Sequence, residues 1–283
     1  MMRRMRTPTA DELGELLQDD LVVADIGARW GAADRWRPFG PRVRVVGFDP
    51  DPEECRRLQD LEPEVRYVPV ALGDRHGTAT LHTTVEPACA SLYPPTPGIV
   101  DRHPELHGMV STGTEEVEVT TLDRWLGTSD LDEIHVLKLD TQGSELQILS
   151  GGTSALGGVR FIEVEVELNP LYEGQPLFGD VDRFLRDQGF VLWRLGHLVH
   201  YGLVGLPADG VATGDSQHFD SMPVPFTAGG GQLYWAHAYF IAADALEATA
   251  DRVTGVRDAV AASAFGFHDL AVHRLRAAGI AAY

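Results

Sequence analysis

Cysteines, basic runs and long apolar segments are scarce in this sequence, and each scarcity excludes a class of protein. Two cysteines, Cys55 and Cys89, cannot build a disulfide framework, and no Cys-x-x-Cys pair indicates a zinc site. The sequence has 23 basic and 42 acidic residues, which gives a formal net charge of -19, so nucleic acids are not expected partners. The sequence contains no uninterrupted run of about 18 apolar residues, so no membrane span is predicted. These features together predict a cytoplasmic protein.

What the chain does contain is an alternation of short apolar runs with helical stretches. The runs lie at residues 21–26, 43–48, 67–70, 134–139 and 161–166. They are predominantly apolar, which is typical of parallel strands covered on both faces. Candidate helices lie between and after them, at residues 31–37, 51–60, 121–127, 144–156 and 179–188. This order predicts an α/β fold with a doubly wound sheet.

Three parts of the chain are expected, of which residues 21–242 form the main domain. Residues 1–20 contain the capping box Thr9-x-x-Glu12, which predicts a helix in an N-terminal extension. Residues 243–283 form a predicted helical tail that suits either a lid or the interface of a homo-oligomer. Prolines interrupt residues 85–113, which predicts a long loop, and a glycine- and proline-rich stretch, 202–231, precedes a last strand at 233–241.

The first predicted strand ends in a motif typical of nucleotide-like cofactor sites, Asp25-x-Gly27-x-x-x-Gly31. Glycine lets a ligand approach the backbone at such a turn. A dinucleotide fingerprint needs a second glycine where this chain has Arg29. The Asp25 carboxylate would repel a pyrophosphate but would attract the ammonium and sulfonium groups of S-adenosylmethionine. Asp49 ends the second strand about 20 residues later, where an acidic side chain can bind ribose hydroxyls.

Each of these features also has a simpler interpretation. Asp25 can cap the following helix, and Asp49 can be a turn residue. Their occurrence on consecutive strand ends favours the ligand site, because ligands of open α/β sheets bind there. Ala28 belongs to the same turn. Ala71 and Leu72, after the third strand, could pack against the adenine ring, although a plain strand exit explains them equally.

The chain resembles the FkbM-type S-adenosylmethionine-dependent methyltransferases over about residues 20–245. The matching blocks are residues 25–28 with Gly31, 70–74, 119–123, 137–146, and Glu165 followed by 170–177. The resemblance implies a class I methyltransferase Rossmann-like fold, a seven-stranded mostly parallel sheet with helices on both faces. Its last strand, 233–241, would lie antiparallel between its neighbours. The implied reaction is O-methylation of a sugar, glycan or polyketide hydroxyl. His237 is a departure, because the family often has an acidic residue in that strand.

The reaction itself indicates which residues could be catalytic. Methyl transfer is an in-line displacement, and a sugar hydroxyl is a poor acid, so a general base or a divalent metal is expected. Asp140 is the leading candidate because it ends the fourth strand, although it could instead cap the next helix. Lys138, two residues earlier, would be costly inside a sheet unless it were paired, and Asp140 or Glu165 is available.

The fifth strand places Glu163, Glu165 and Glu167 on one face, because side chains alternate along a strand. Buried carboxylates are expensive, so at least one is expected to be functional, with Glu165 favoured at the carboxyl end of the strand. The alternative is that this face meets solvent. Asp140 and Glu165 could also hold Mg²⁺, whose ligands are oxygens.

The remaining candidates concern the acceptor. His197 and His237 rank highest among the histidines as possible bases, because both lie near predicted strands. Tyr172 and Gln175, together with His197, are the predicted substrate-binding residues, since aromatic and amide groups suit a sugar ring. Three alternatives stay open: an NAD-dependent oxidoreductase, disfavoured by Asp25 and Arg29; a non-catalytic cofactor- or glycan-binding scaffold; and a polyketide O- or N-methyltransferase.

Overall fold

The computed structural model describes residues 6–32, 34–202 and 231–280. Its strands are β1 (Leu21–Ile26), β2 (Val43–Phe48), β3 (Arg66–Val68), β4 (Ala71–Leu72), β5 (Gly77–Thr84), β6 (Ser111–Thr120), β7 (Val136–Leu139), β8 (Phe161–Glu167), β9 (Phe190–Tyr201) and β10 (Gln232–Ala242). Its α-helices are α1 (Ala10–Leu16), α2 (Pro52–Leu61), α3 (Ile99–Arg102), α4 (Leu122–Thr128), α5 (Glu145–Ser150), α6 (Phe178–Asp187), α7 (Arg252–Ala264) and α8 (His268–Ala277). No helix of the described ranges is long and apolar enough to span a membrane.

The main sheet has seven strands in the order β3-β2-β1-β7-β8-β10-β9. Strands β3, β2, β1, β7 and β8 pair in parallel, and β10 is antiparallel to both of its neighbours. The strand order and the antiparallel last strand confirm the class I methyltransferase fold. β1 has β2, the next strand in the chain, on one side and β7 on the other, so the direction in which the chain adds strands to the sheet reverses at β1. Open α/β sheets bind their ligands at such a point.

Helices cover both faces of this sheet, as predicted. On one face Val23, Val136 and Phe161 pack with buried residues of α1, α2, α7 and α8. On the other face Ala24 and Leu137 pack with buried residues of α4, α5 and α6. The capping box of α1 is present, since Glu12 N donates to Thr9 Oγ1 at 3.3 Å and Thr9 N to Glu12 Oε2 at 2.9 Å. Helices from both ends of the chain thus bury residues in one core, and the division at residues 20 and 242 stays a prediction.

The segment before β7 differs most from expectation. A second sheet, β4-β6-β5, was not predicted. The predicted loop 85–113 contains α3, the start of β6 and 3₁₀ helices at Pro87–Cys89 and Pro104–Met109. The prolines misled the prediction, because each 3₁₀ helix begins with proline, where the missing N–H costs nothing.

Two predicted helices are shorter in the structure. Only a 3₁₀ turn, Arg37–Phe39, lies near the helix expected at 31–37, and Gly151 and Gly152 end the helix expected at 144–156 after Ser150. Most of the glycine- and proline-rich stretch, 203–230, lies outside the described residues.

A buried histidine at the start of β7 predicts a pH-dependent stability. His135 is 6% exposed, and its Nδ1 accepts a hydrogen bond from Val22 N at 3.0 Å. Burial, and to a lesser extent the charge of Arg257, lowers the pKa of His135 from 6.5 to about 4. The unfolded chain therefore binds this proton more readily, so the stabilisation is complete above pH 6.5 and is lost as the pH falls towards 4.

We expect the titration of His135 to lower the free energy of unfolding by about 2 kcal/mol between pH 7 and pH 5. Urea unfolding of the wild type and of His135→Gln at both pH values measures it. Subtracting the two proteins' free energies of unfolding cancels the contribution of the carboxylates that both contain. An equal change in the free energy of unfolding with pH for the two proteins would contradict the role given to His135.

Candidate active site

The candidate site lies where β1, β7 and β8 approach their carboxyl ends. The strand register places Asp25 beside Lys138 and Lys138 beside Glu163, so three charged residues of alternating sign form one row across the sheet. Their side chains share the face of Val23 and Val136, since residues two apart in a strand point the same way. The row therefore lies on the sheet face that α1 and α7 cover.

Lys138 is the sole lysine of the 283 residues and the cation at the centre of this row. Its Nζ lies 3.1 Å from Asp25 Oδ1 and 3.5 Å from Asp140 Oδ2, and it donates to Gly27 O at 3.2 Å. Although burial opposes the charge, Asp25 and Asp140 raise the pKa of Lys138 above its ordinary value. Pairing with Asp140 is confirmed, the nearer partner Asp25 was not predicted, and Glu165 is not an ion-pair partner of Lys138.

The glycine turn after β1 is tightly enclosed. Gly27 has φ +83°, and a Cβ added there would lie 1.9 Å from the carbonyl oxygen of Asp140. The amides of Gly27 and Ala28 both donate to Phe48 O at 3.0 Å, which ties the turn to the end of β2. Gly31 is also left-handed, with φ +97°. The turn thus places its backbone directly against the strand end that carries Asp140.

Asp49 follows β2 and is 4% exposed. Its Oδ1 accepts a hydrogen bond from Asp51 N at 2.8 Å, so Asp49 does stabilise a turn, as the simpler interpretation expects. Burial raises the pKa of Asp49 above its ordinary value. Arg29, which replaces the second glycine of a dinucleotide fingerprint, pairs with Asp49 at 3.7 Å and with Asp51 at 3.2 Å. Binding of ribose hydroxyls stays a prediction.

The predicted adenine contacts lie in β4. Leu72 is 3% exposed and packs with Ile26, Phe48 and Leu122 in the core, and its contact with adenine stays a prediction. Ala71 is 8% exposed, and its contact with adenine stays a prediction.

A hydrogen-bonded network surrounds the Asp140 carboxylate. Gln142 Nε2 donates to Asp140 Oδ1 at 3.2 Å and to Glu165 Oε2 at 2.7 Å, while Tyr172 Oη donates to Gln142 Oε1 at 2.9 Å. Gln142 adopts a left-handed φ of +59°, which few non-glycine residues do. Sequence reasoning missed Gln142, although its place between Asp140 and Gly143 in a family block was a signal.

Asp140 and Glu165 have opposite protonation preferences. Although burial opposes ionisation, Lys138 and the hydrogen bonds hold the pKa of Asp140 below its ordinary value. Burial and the adjacent Asp140 charge raise the pKa of Glu165 well above its ordinary value. Glu165 is thus a neutral donor beside an ionised Asp140. The alternative that Asp140 only caps a helix is wrong, because Ser144 is the residue at the start of α5.

The three glutamates of β8 are buried, with no more than 6% exposure, so the alternative of a solvent-facing strand is wrong. Glu163 differs from its neighbours. It contacts the Arg35 guanidinium, accepts from Tyr239 Oη at 3.0 Å and lies 3.0 Å from His237 Nδ1. Burial opposes ionisation, but His237 and Arg35 lower the pKa of Glu163 to about 2. Glu163 is therefore ionised, a role that sequence reasoning did not assign.

The two histidines ranked highest from the sequence are neighbours. The ring centroids of His197 and His237 are 5.1 Å apart, with His197 exposed on β9 and His237 partly buried on β10. His197 has a left-handed φ of +49°. These two rings extend the site from β8 across β10 to β9.

Comparison with known proteins assigns the chain to a family. Residues 25–192, more than half of the chain, match the sequence model described as the methyltransferase FkbM domain. The chain belongs to the FkbM methyltransferase family. The 2-O-methyltransferase NoeI of Sinorhizobium fredii is 31% identical over 169 residues, 56% of this chain and 69% of that protein. The hexuronic acid methyltransferase AglP of Haloferax volcanii is 22% identical over 187 residues, 64% and 73% of the two chains.

Solved structures resemble this FkbM methyltransferase only distantly. Magnesium protoporphyrin IX methyltransferase of Synechocystis PCC 6803, solved with bound S-adenosylmethionine, has a TM-score of 0.39 and 12% identity. That comparison covers 82% of this chain and 75% of the other. The fold assignment therefore rests on the strand order and the family match.

Two predicted substrate residues of this methyltransferase are internal. Tyr172 is 0% exposed and donates to Cys89 O at 2.9 Å as well as to Gln142. Gln175 is 7% exposed, and its Oε1 accepts from Leu171 N and Tyr172 N at 2.7 and 2.6 Å. Both residues build the loop that supports Gln142, and their contact with substrate stays a prediction. His197 is exposed, and its substrate contact stays a prediction.

The acidic residues of the site do not support the Mg²⁺ interpretation. Within the described ranges no group of three or more histidine, cysteine, aspartate or glutamate side chains is arranged to hold a metal ion. Glu165 and Glu167 are held neutral, since burial and neighbouring charges raise the pKa of each well above its ordinary value. Burial also raises the pKa of Glu145 to about 7. Protonation therefore reduces the electrostatic repulsion among these three carboxyl groups.

Proposed function

We propose that this FkbM methyltransferase transfers the methyl group of S-adenosylmethionine to a hydroxyl of a sugar or glycan. The observation that carries the proposal is the acid-rich site around the Gly27 turn, on the carboxyl end of a class I methyltransferase sheet. The names of NoeI and AglP support a carbohydrate acceptor, since one is a 2-O-methyltransferase and the other acts on a hexuronic acid.

The residues at the turn suit this cofactor. Asp25 and Asp140 share one cation, Lys138, and Asp49 and Asp51 share Arg29, so each group has one excess negative charge when its carboxyls are ionised. An anionic site favours a ligand with sulfonium and ammonium groups over a dinucleotide pyrophosphate. Asp25, the Gly27–Gly31 turn and Asp49 would hold the cofactor, which supplies an electrophilic methyl group when bound.

Asp140 and Glu165 then act as an oriented pair. Lys138, Gln142 and the neutral Glu165 hold the Asp140 carboxylate in one position without rearrangement. Preorganised charge beside the reacting groups stabilises a transition state more than a mobile charge does. Gln142 and Tyr172 support this arrangement from the loop side.

We expect Asp140→Asn to reduce methyl transfer by about 100-fold or more, because it removes the ionised member of the pair. Glu165→Gln should reduce it less, since glutamine preserves a neutral donor. Turnover with labelled S-adenosylmethionine and cofactor affinity by calorimetry measure both, with Asp187→Asn on the exposed end of α6 as the control. Wild-type turnover in Asp140→Asn would remove Asp140 from the catalytic site.

The proposed function is tested by calorimetry and label transfer. Tight binding of NAD without binding of S-adenosylmethionine would overturn it. A panel of methyl glycosides of neutral hexoses, deoxyhexoses and hexuronic acids is then incubated with methyl-labelled cofactor, and label in the glycosides is the expected result. Label transferred only to amines or to polyketide alcohols would instead support the alternative acceptors. Binding without any transfer would support the scaffold.

A further inference from the structure

The side chain of His237 is held at one ring nitrogen and leaves the other available. Its Nδ1 lies 3.0 Å from Glu163 Oε1, and the side chain is 18% exposed. Among the described residues, none forms a hydrogen bond with His237 Nε2. The imidazole is therefore oriented by a buried carboxylate while its second nitrogen is open to a ligand.

Glu163 determines which nitrogen carries the proton. Its carboxylate receives the Tyr239 hydroxyl and the Arg35 guanidinium, and its own side chain is only 2% exposed. An ionised carboxylate accepts hydrogen bonds and cannot donate them, so Nδ1 of His237 must be the donor. The neutral ring then presents an unprotonated Nε2, the form required of a general base.

The neighbouring carboxyls are less suitable proton acceptors. The Asp140 carboxylate already contacts Lys138 and accepts from Gln142, which stabilises its ionised form. Glu165 lies beside His237 in the strand register but is held protonated. Both arrangements oppose uptake of a proton from an alcohol.

We propose that His237 is the proton acceptor for the substrate hydroxyl and that Glu163 is its positioning residue. The inference rests on the proposed function. The acceptor oxygen forms the new bond to the methyl carbon, and the carbon–sulfur bond breaks with its electron pair going to sulfur. The hydroxyl proton passes to His237 Nε2. The resulting imidazolium is paired with Glu163 and later returns its proton to solvent.

Several charged groups lie near the ring and act on the imidazolium that forms during the reaction. Glu163 on β8 and Asp140 beyond β7 favour the imidazolium, whereas His197 on β9 opposes it when protonated. Arg35 acts on the other side of Glu163 and weakens its effect. Glu165 stands opposite in the register but is neutral, and Tyr239 contributes a hydrogen bond to Glu163.

Nuclear magnetic resonance of ¹⁵N-histidine-labelled protein tests the positioning without a substrate. His237→Asn assigns the His237 signals by their loss. We expect the Nδ1–H tautomer in the wild type and a mixture of the two tautomers in Glu163→Gln, because an amide can donate to Nδ1 as well as accept from it. An Nε2–H tautomer in the wild type, or the same tautomer preference in Glu163→Gln, would overturn the role of Glu163.

Label transfer to the glycoside panel tests the proton acceptor. We expect His237→Gln to lose about 100-fold or more of the turnover while its affinity for S-adenosylmethionine stays near that of the wild type. Glu163→Gln should lower turnover less than His237→Gln does, with cofactor affinity unchanged, because the imidazolium loses its paired charge. The controls are His76→Gln, in the exposed turn before β5, and Glu115→Gln, on an exposed position of β6.

The outcomes separate the two hypotheses. A wild type that transfers no label to any glycoside overturns the proposed function. A wild type that transfers label, with His237→Gln equally active, overturns the role of His237 alone. Retained cofactor binding shows that a variant is folded, and if His237→Gln does not fold, His237→Asn and the tautomers and turnover of Glu163→Gln decide.

Discussion

Gly27→Ala is expected to lower the affinity for S-adenosylmethionine by about 100-fold or more. Gly27 has φ +83°, and the new Cβ would lie 1.9 Å from the Asp140 carbonyl oxygen. Because the colliding atom is backbone, the turn and the end of β7 must move apart. That movement displaces Asp140 and the backbone oxygen that accepts from Lys138. Strain at the turn adds about 1–3 kcal/mol of destabilisation.

Gly40→Ala is the matched control for this change. Gly40 has nearly the same φ, +81°, but no atom lies within 4 Å of its added Cβ. It therefore has conformational strain of about 1–3 kcal/mol without the collision, and its cofactor affinity should match the wild type. Calorimetric titration of both variants measures the contrast. Equal affinities in Gly27→Ala and Gly40→Ala would show that close backbone contact is not what the site requires.

Asp258→Asn is expected to reduce the free energy of unfolding by about 3 kcal/mol or more. Asp258 on α7 is 0% exposed and accepts hydrogen bonds from Arg160 at 3.1 and 3.0 Å and from Arg274 at 3.0 Å. Arg160 directly precedes β8, and Arg274 lies on α8 with 1% exposure. Loss of the carboxylate charge leaves a buried guanidinium without its anion, whereas the intact cluster ties the C-terminal helices to the sheet.

Asp182→Asn is the control, since Asp182 pairs with Arg186 one turn away on the accessible side of α6. Such a pair contributes about 0.5 kcal/mol or less. Urea unfolding of the two variants at pH 7 is the measurement. A loss below about 1 kcal/mol in Asp258→Asn would mean that α7 and α8 are held by apolar packing alone.

Much of this protein could be predicted from local patterns. The apolar runs at 21–26, 43–48 and 161–166 correspond to β1, β2 and β8, because a strand buried on both faces is predominantly apolar. The Gly27 turn was equally readable, since no other residue suits a left-handed turn in close contact with backbone. By contrast, β4 and β5 both pair with β6, and the exposed or half-buried residues that make up most of β5 and β6 carry no comparable pattern.

The sequence could predict which residues form the candidate site but not their ion pairs or protonation states. The sequence by itself determined that Asp25, Lys138, Asp140 and the β8 glutamates lie near the carboxyl ends of parallel strands, because side-chain alternation along a strand is a local property. The family resemblance supplied the strand order that brings these ends together. Only the tertiary structure decided that Lys138 pairs with Asp25, that Glu163 is ionised, and that Glu165 is protonated. The reason is physical: a buried carboxyl takes its protonation state from neighbours such as Arg35 and His237, which lie more than 70 positions away in the chain.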